Sequence, residues 1–381
     1  MKLKIGLITT LNTNIGDDFI RTGLCKVLQQ VCGKRQIEFI AVNKHEPYTV
    51  YNNWHPIQIA RISKHLPKGK HAFARLAQTL LATSMFSRFE HADAVVQCGA
   101  PVIWPQCYQC EWAVPLWHKV IRQIHERTPV LNLAAGSCFP WENQPLAIED
   151  SLDAEYLRAI HGYCRLTTAR DSLTRSLFKE LGCDVQQIAC SALLAADGVS
   201  KMKERGDLVL INYMPGGGHY DFGQHVDGSS WAETVRALVK RLERRHNVAF
   251  LCHNETEFRA ASDLAGEIPR LWPKTIPEYF SMVFKAKVGI FNRMHASVAL
   301  AGMGIPSIAI GTDTRLLMVK NLKLPCFYVK EASADLLEQE VEILLNEKEQ
   351  ERERLLQLRH DTWQSYVRCL SDSLPRIVEN S

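Results

Sequence analysis

Residues 287–311, KVGIFNRMHASVALAGMGIPSIAIG, read as a buried strand (Val288 to Phe291), a polar corner (Asn292, Arg293, His295), an Ala-rich helix ending near Gly302 or Gly304, and a second apolar strand from Ser307 to Ile310. A strand that delivers Arg and His onto the start of a helix is suited to an anion, because the free N–H groups and the helix dipole favour negative charge there. Arg adds a forked, permanent cation and His a proton donor or acceptor near neutral pH. The alternative is a core strand whose Arg makes a structural ion pair and whose His is a satisfied interior donor.

Working outward, the chain of 381 residues has room for two domains of ordinary size. Its hydrophobic fraction of 46% and charged fraction of 23% are those of a globular protein. The net charge of +4 is small and its Lys and Arg are scattered, which argues against a nucleic-acid partner. No apolar run reaches the roughly 18 residues of a membrane span. MKLKIGLITT reads as the first strand rather than a leader, and the chain as cytoplasmic. The 12 Cys form no repeating framework, so free thiols are expected; Cys107 and Cys110 have the spacing of half a zinc site or of a redox pair, with no second pair to complete it. No metal is expected.

Strand Lys4 to Thr9 leads through a turn-rich loop, Asn12 to Gly16, to a helix that Asp17 can cap, with apolar positions at Ile20, Gly23, Leu24, Val27, Leu28 and Val31. LNTNIGDD lacks the dinucleotide fingerprint, so a ligand at this loop need not be NAD. Ile37 to Val42 makes a second strand, and His45 to Lys70 reads as an irregular insertion. Helix His71 to Phe89 places Phe73, Leu76, Leu80 and Leu81 on one side; packing onto the sheet is its expected use, with peripheral membrane contact the alternative.

Ala94 to Gln97 ends in Cys98-Gly99-Ala100-Pro101, where small residues admit a ligand or a backbone. The following aromatic segment, Trp104 to Trp117, offers stacking faces for a sugar or simply fills space under a loop. A helix over 113–127 precedes strand Val130 to Ala134 and the small-residue loop Ala135-Gly136-Ser137. Strand Leu166 to Ala169 feeds Arg170 and Asp171 at the start of a helix that stops at Gly182. These strand ends mark the rim of a parallel sheet, where ligands bind in such folds.

DGVSKMKERGD, after Ala196, reads as a linker. A second α/β series follows: strand Leu208 to Asn212, the loop Pro215-Gly216-Gly217-Gly218, helix Ser230 to His246, strand Val248 to Cys252, and a polar corner at His253, Asn254 and Glu255. The glycine loop is not a P-loop and reads as a turn. The predicted fold is α/β, two Rossmann-like domains (1–197 and 206–330) facing a cleft, closed by C-terminal helices over 333–381.

Four segments together resemble the polysaccharide pyruvyl transferase family: Asn14-Ile15-Gly16-Asp17, Thr168-Ala169-Arg170-Asp171 with Leu181-Gly182, the His253 corner, and Arg293-Met294-His295 with Gly304-Ile305-Pro306. Their order and spacing over about residues 5–325 carry the resemblance. It implies a GT-B-like fold and transfer of pyruvate from phosphoenolpyruvate to a sugar, commonly as a ketal bridging two hydroxyls. Arg293 and His295 then match the family's Arg-x-His motif, and Arg170 its Arg-Asp motif.

Phosphoenolpyruvate carries a carboxylate and a phosphate, so its pocket needs strong cationic donors, for which Arg170 and Arg293 are candidates, with Asn292 and His253 beside them. Protonation of the methylene carbon needs an acid, and His295 is the candidate, as an imidazolium beside substrate anions. Asp17, Asp171 and His253 are candidates for the base. Asn14, Gly99 and Trp104 are candidates for holding the acceptor, on the N-terminal side. The mechanism asks for no cofactor. Competing readings are a GT-B nucleotide-sugar glycosyltransferase and a non-catalytic glycan-binding relative; the oligomeric state is not legible.

Overall fold

Short apolar runs bounded by turn residues become the strands of two parallel sheets. The computed structural model of the chain describes residues 2–11, 15–63, 71–99, 101–196 and 206–375. The first sheet contains β1 (Leu3–Thr9), β2 (Ile37–Asn43), β3 (Ala94–Cys98), β4 (Pro101–Ile103), β5 (Val130–Ser137), β6 (Leu166–Ala169) and β7 (Gln186–Gln187). Its order is β2-β1-β3-β5-β6-β7, with β4 pairing off the path onto β5. The second sheet runs β10 (Arg270–Leu271), β9 (Asn247–Leu251), β8 (Leu208–Asn212), β11 (Ala286–Phe291), β12 (Ser307–Gly311) and β13 (Cys326–Tyr328). Every pairing within the two sheets is parallel, and central strands such as β5 and β12 are buried along their whole length, as sheets covered by helices on both faces must be.

The opening motif folds as read, with helix Met294–Gly302 between β11 and β12. That helix is buried all round, because it lies between the domains against helix Ile15–Val31 and the turn Ser191–Leu194. The last helix, Lys348–Ser373, crosses back to the first domain: Tyr366 Oη donates to Ala189 O (3.0 Å) and Arg359 Nη2 to Ala196 O (2.8 Å). Most of the predicted linker lies outside the described residues.

Several local expectations change. The helix expected over 113–127 is wound in the wider π form over Ala113–Ile121 before a short α turn, Arg122–Ile124. In helix His71–Phe89, Leu76 is exposed, while Ala77, Ala82, Met85 and Phe89 face the core. The insertion after His45 contains the short helices Pro47–Val50 and Gln58–Ser63. No helix among the described residues is long and apolar enough to cross a membrane.

The domains are laced where β5 exits its sheet. The β5–β6 register shifts between Asn132 and Ala135, and Ala134 takes a left-handed φ of 53°, a conformation costing an L-residue about 1 kcal/mol. The chain beyond it reaches the second domain: Thr314 N donates to Phe139 O (2.9 Å), Phe139 N to Thr314 Oγ1 (3.0 Å) and Trp141 N to Thr312 O (3.1 Å). The carboxyl edges of both sheets therefore meet.

Candidate active site

The cleft between these edges is lined by Gly16 from the first domain and by Met214, Gly218, His219, His253, Asn292, Arg293, His295, Asp313 and Arg315 from the second. Behind the lining residue His295, Arg170 of the first domain donates from Nη1 to His295 Nε2 across 3.3 Å. Arg170 is only 1% exposed, and among the described residues its Nε and Nη2 have no hydrogen-bond partner. A buried guanidinium left partly unmatched is a strong anion receptor. Gly136 makes the space for it: a Cβ there would lie 2.3 Å from Arg170 Nε.

His295 accepts from Arg170 through Nε2, which assigns the proton to Nδ1. Gly16 lets the N-terminal helix approach that side, since a Cβ on it would sit 3.1 Å from Nδ1. Burial first, then the charges of Arg170, Arg315 and Arg293, push the imidazole well below its ordinary value. Among protein groups alone the imidazolium is thus disfavoured, and the expected imidazolium needs the donor anions beside it.

Arg293 is not the open anion ligand expected. Its Nε donates to Glu257 Oε1 (2.7 Å) and its Nη2 lies 2.5 Å from the same oxygen. Glu257 also accepts from Asn212 Nδ2 (2.8 Å) and His253 N (2.8 Å). Burial would raise this carboxyl, but the adjoining His253 and Arg293 and the N–H of His253 hold it low. Asn292 is likewise structural: its Nδ2 donates to Gly217 O (2.8 Å) and Ile310 O (3.1 Å), and its Oδ1 accepts from Met214 N (2.9 Å), pinning the glycine loop. Its amide is already satisfied.

Asp171 is fully buried and caps helix Ser172–Glu180, accepting from Thr174 N (2.8 Å) and Thr174 Oγ1 (2.7 Å). Its Oδ1 is committed to the cap, and it lines neither this cleft nor the larger one adjoining it, so nothing in the geometry supports it as a base. Gly99 is withdrawn from the acceptor set, since it packs against Ile20 and Ala134. Asn14 lies outside the described residues. His253 does face the cleft; among the described residues neither of its ring nitrogens has a partner, and burial lowers it to about 4. Asp17 is half-buried, raised by burial against the opposing pull of Lys44, His45 and Arg170.

Sequence reasoning missed Arg315, whose Nε and Nη2 grip Asp313 Oδ1 and Oδ2 (2.8 and 2.6 Å) in a bidentate pair. A second, larger cleft of about 490 Å³ adjoins, lined by Lys44, His45, Trp104, Gln106, Glu111 and Trp112 from the first domain and by Tyr220 and Phe222 from the second. Trp104 and Trp112 lie 5.6 Å apart there. Cys107 is buried and Cys110 Sγ sits 3.8 Å from Tyr156 Oη. Among the described residues no group of three or more His, Cys, Asp or Glu is placed to hold a metal ion.

Residues 14–314 match the family model described as polysaccharide pyruvyl transferase. The chain belongs to that family. It is a transferase, and its two Rossmann-like domains facing a cleft are GT-B-like. The UDP-GlcNAc 2-epimerase of Neisseria meningitidis bound to UDP-GlcNAc superposes with a TM-score of 0.54 at 12% identity, covering 99% of this chain and 100% of that one. Phytolacca americana UGT2, complexed with UDP-2fluoro-glucose and pterostilbene, gives 0.55 at 10% identity over 98% and 99% of the two chains. An alpha,alpha-trehalose 6-phosphate synthase from Burkholderia multivorans gives 0.55 at 10% over 100% of both. At such identities the likeness concerns the fold of the transferase alone. No curated protein matches the chain.

Proposed function

We propose that this transferase moves the pyruvyl group of phosphoenolpyruvate onto two hydroxyls of a sugar in a polysaccharide or glycan precursor, forming a ketal. The observation that carries the reading is Arg170, whose unpartnered Nε and Nη2 lie buried beside His295 at the domain boundary. The donor carries a carboxylate and a phosphate, and Arg170 supplies the open fork for one of them. Arg293 and Arg315, fixed by Glu257 and Asp313, add positive field to the same cleft.

In the first step an acceptor hydroxyl adds to C2: its O–H bond breaks, a C–O bond forms, and the C2=C3 electron pair takes a proton to make the methyl group. The C2–O bond to phosphate then breaks with its electron pair. The second hydroxyl closes the ketal, and its proton departs with inorganic phosphate. His295 is the proton donor to C3. Donor anions offset the arginines that depress its ring, so its proton affinity rises when the donor binds. The acceptor takes the larger cleft, its ring stacked on Trp104 and Trp112. The reaction as drawn calls on no metal or organic cofactor.

The test is incubation with phosphoenolpyruvate and a panel of glycans, followed by mass spectrometry and phosphate assay. A pyruvate-ketal mass gain matched by phosphate release is the expected result. Nucleoside diphosphate release from UDP-sugars instead would assign a glycosyltransferase, and saturable glycan binding without turnover a non-catalytic relative.

A further inference from the structure

None of Asp17, Asp171 and His253 is among the lining residues of the larger cleft, whereas one lysine, Lys44, is. It directly follows β2, and its N–H donates to Thr9 O (2.9 Å), which fixes the residue at the carboxyl edge of the sheet. The residue is only 4% exposed, yet it lines both the large cleft and a smaller cavity beside it, sharing His45, Glu111 and Trp112 with each. Its ammonium makes no hydrogen bond or ion pair with a described group; what it has is the face of Trp112, with Nζ 5.0 Å from the ring centroid.

We infer that Lys44 is the base that takes the proton from the attacking acceptor hydroxyl, an inference that rests on the proposed pyruvyl transfer. The neutral amine supplies a lone pair: the hydroxyl O–H breaks toward Nζ as the oxygen bonds to C2, and the ammonium so formed later releases its proton to water, replacing the proton that His295 gave to C3. Lysine suits the position because a compact ammonium removed from water without a partner readily gives up its proton. Burial lowers Lys44 to about 8, against the opposing effect of the acidic groups that face it, Asp17 from the N-terminal helix and the Cys110 thiol and Glu111 from the aromatic segment; Arg170, at the end of β6, acts in the lowering direction. His45, the next residue in the chain, lines the same wall.

The placement also connects the two halves of the reaction. Asp17 feels the charges of both Lys44 and Arg170, so the amine is electrostatically linked to the donor cluster. Trp104 and Trp112 can then present a hydroxyl between the amine and the donor carbon.

The experiment compares the full chain with Lys44→Met and Lys44→Arg, using phosphoenolpyruvate and an acceptor from the glycan panel. Lys44→Met is expected to lower kcat by about 10²–10⁴-fold, with phosphoenolpyruvate binding by calorimetry unchanged. Lys44→Arg should be no better, since a guanidinium keeps the charge but cannot accept a proton. Wild-type kcat/KM should climb with pH through about 8, and that limb should vanish in Lys44→Met. Competitive acetylation of amines with acetic anhydride, read by peptide mass spectrometry, should place the Lys44 titration near 8 in the wild-type chain whatever the acceptor. Titration at the ordinary lysine value of about 10.4, full turnover in Lys44→Met, or recovery in Lys44→Arg would each overturn the base while leaving pyruvyl transfer in place. Failure of the wild-type chain to bind phosphoenolpyruvate would overturn the donor reading and the base with it.

Discussion

Each domain carries an Arg at a strand-to-helix corner near the domain boundary, Arg293 in the lining of the cleft and Arg170 buried behind His295, and the two have different fates. Arg293, at the end of β11, is held by Glu257; Arg170, at the end of β6, keeps two nitrogens without partners beside His295. The corners look alike in sequence. What separates them is one buried carboxylate on helix Glu255–Leu264, 36 positions upstream of Arg293. An arginine with a carboxylate partner builds the wall of a cleft, and one without is available to a ligand.

The contrast can be broken at its structural arm first. Glu257→Gln should destabilise the chain by about 3–5 kcal/mol, because Arg293 would then be a buried charge without its counter-ion. Urea unfolding checks this, and a loss too small to measure would mean that Arg293 is not held by the pair. The functional arm should respond oppositely. Arg170→Lys should leave the melting temperature nearly unchanged while lowering kcat/KM for phosphoenolpyruvate by roughly 10²–10³-fold, since the fork is replaced by a point charge. Wild-type kinetics in that variant would remove the distinction between the corners.

A smaller effect sharpens the electrostatic side. His253 is lowered by burial to about 4 from an ordinary 6.5. Because the folded value lies below the unfolded one, the unfolded chain binds more protons between the two. The His253 contribution is therefore complete above about pH 6.5 and drains as pH falls toward 4, a loss on the order of 3 kcal/mol. His295 acts in the same direction. Unfolding free energies measured from pH 7 to pH 5 should show a shallower decline in His253→Gln than in the wild-type chain. Equal slopes would mean that His253 is protonated in the fold.

The paired α/β plan was legible because parallel strands leave continuous apolar runs, each ending in small or polar residues, as at Ala135-Gly136-Ser137 and Asn292-Arg293. The positions of Arg170 and His295 follow from the same pattern, Arg170 directly after β6 and His295 in the first turn of the helix that follows β11. Glu257, Asp313 and Lys44 were not legible as site residues. Their significance lies in what they meet through space, and a carboxylate on an amphipathic helix or a lysine after a strand carries no local mark of it. Asp171 could have been recognised as a cap from Thr174 three positions later; the helix-start chemistry was there, but catalysis was read into it. The π winding over Ala113–Ile121 has no periodic signature distinct from an ordinary helix.

Helix Lys348–Ser373 sets an order on the making of this protein. Leu355, Tyr366 and Leu370 belong to the same core cluster as Ile5, Leu24 and Leu193, so a part of the first core arrives only after the whole second domain has been synthesised. At about 5–20 residues per second the nascent first domain waits roughly ten to thirty seconds with that face uncovered. The interval during translation is when the chain is most in need of a chaperone, and a stop codon before Leu355 would leave it permanently open.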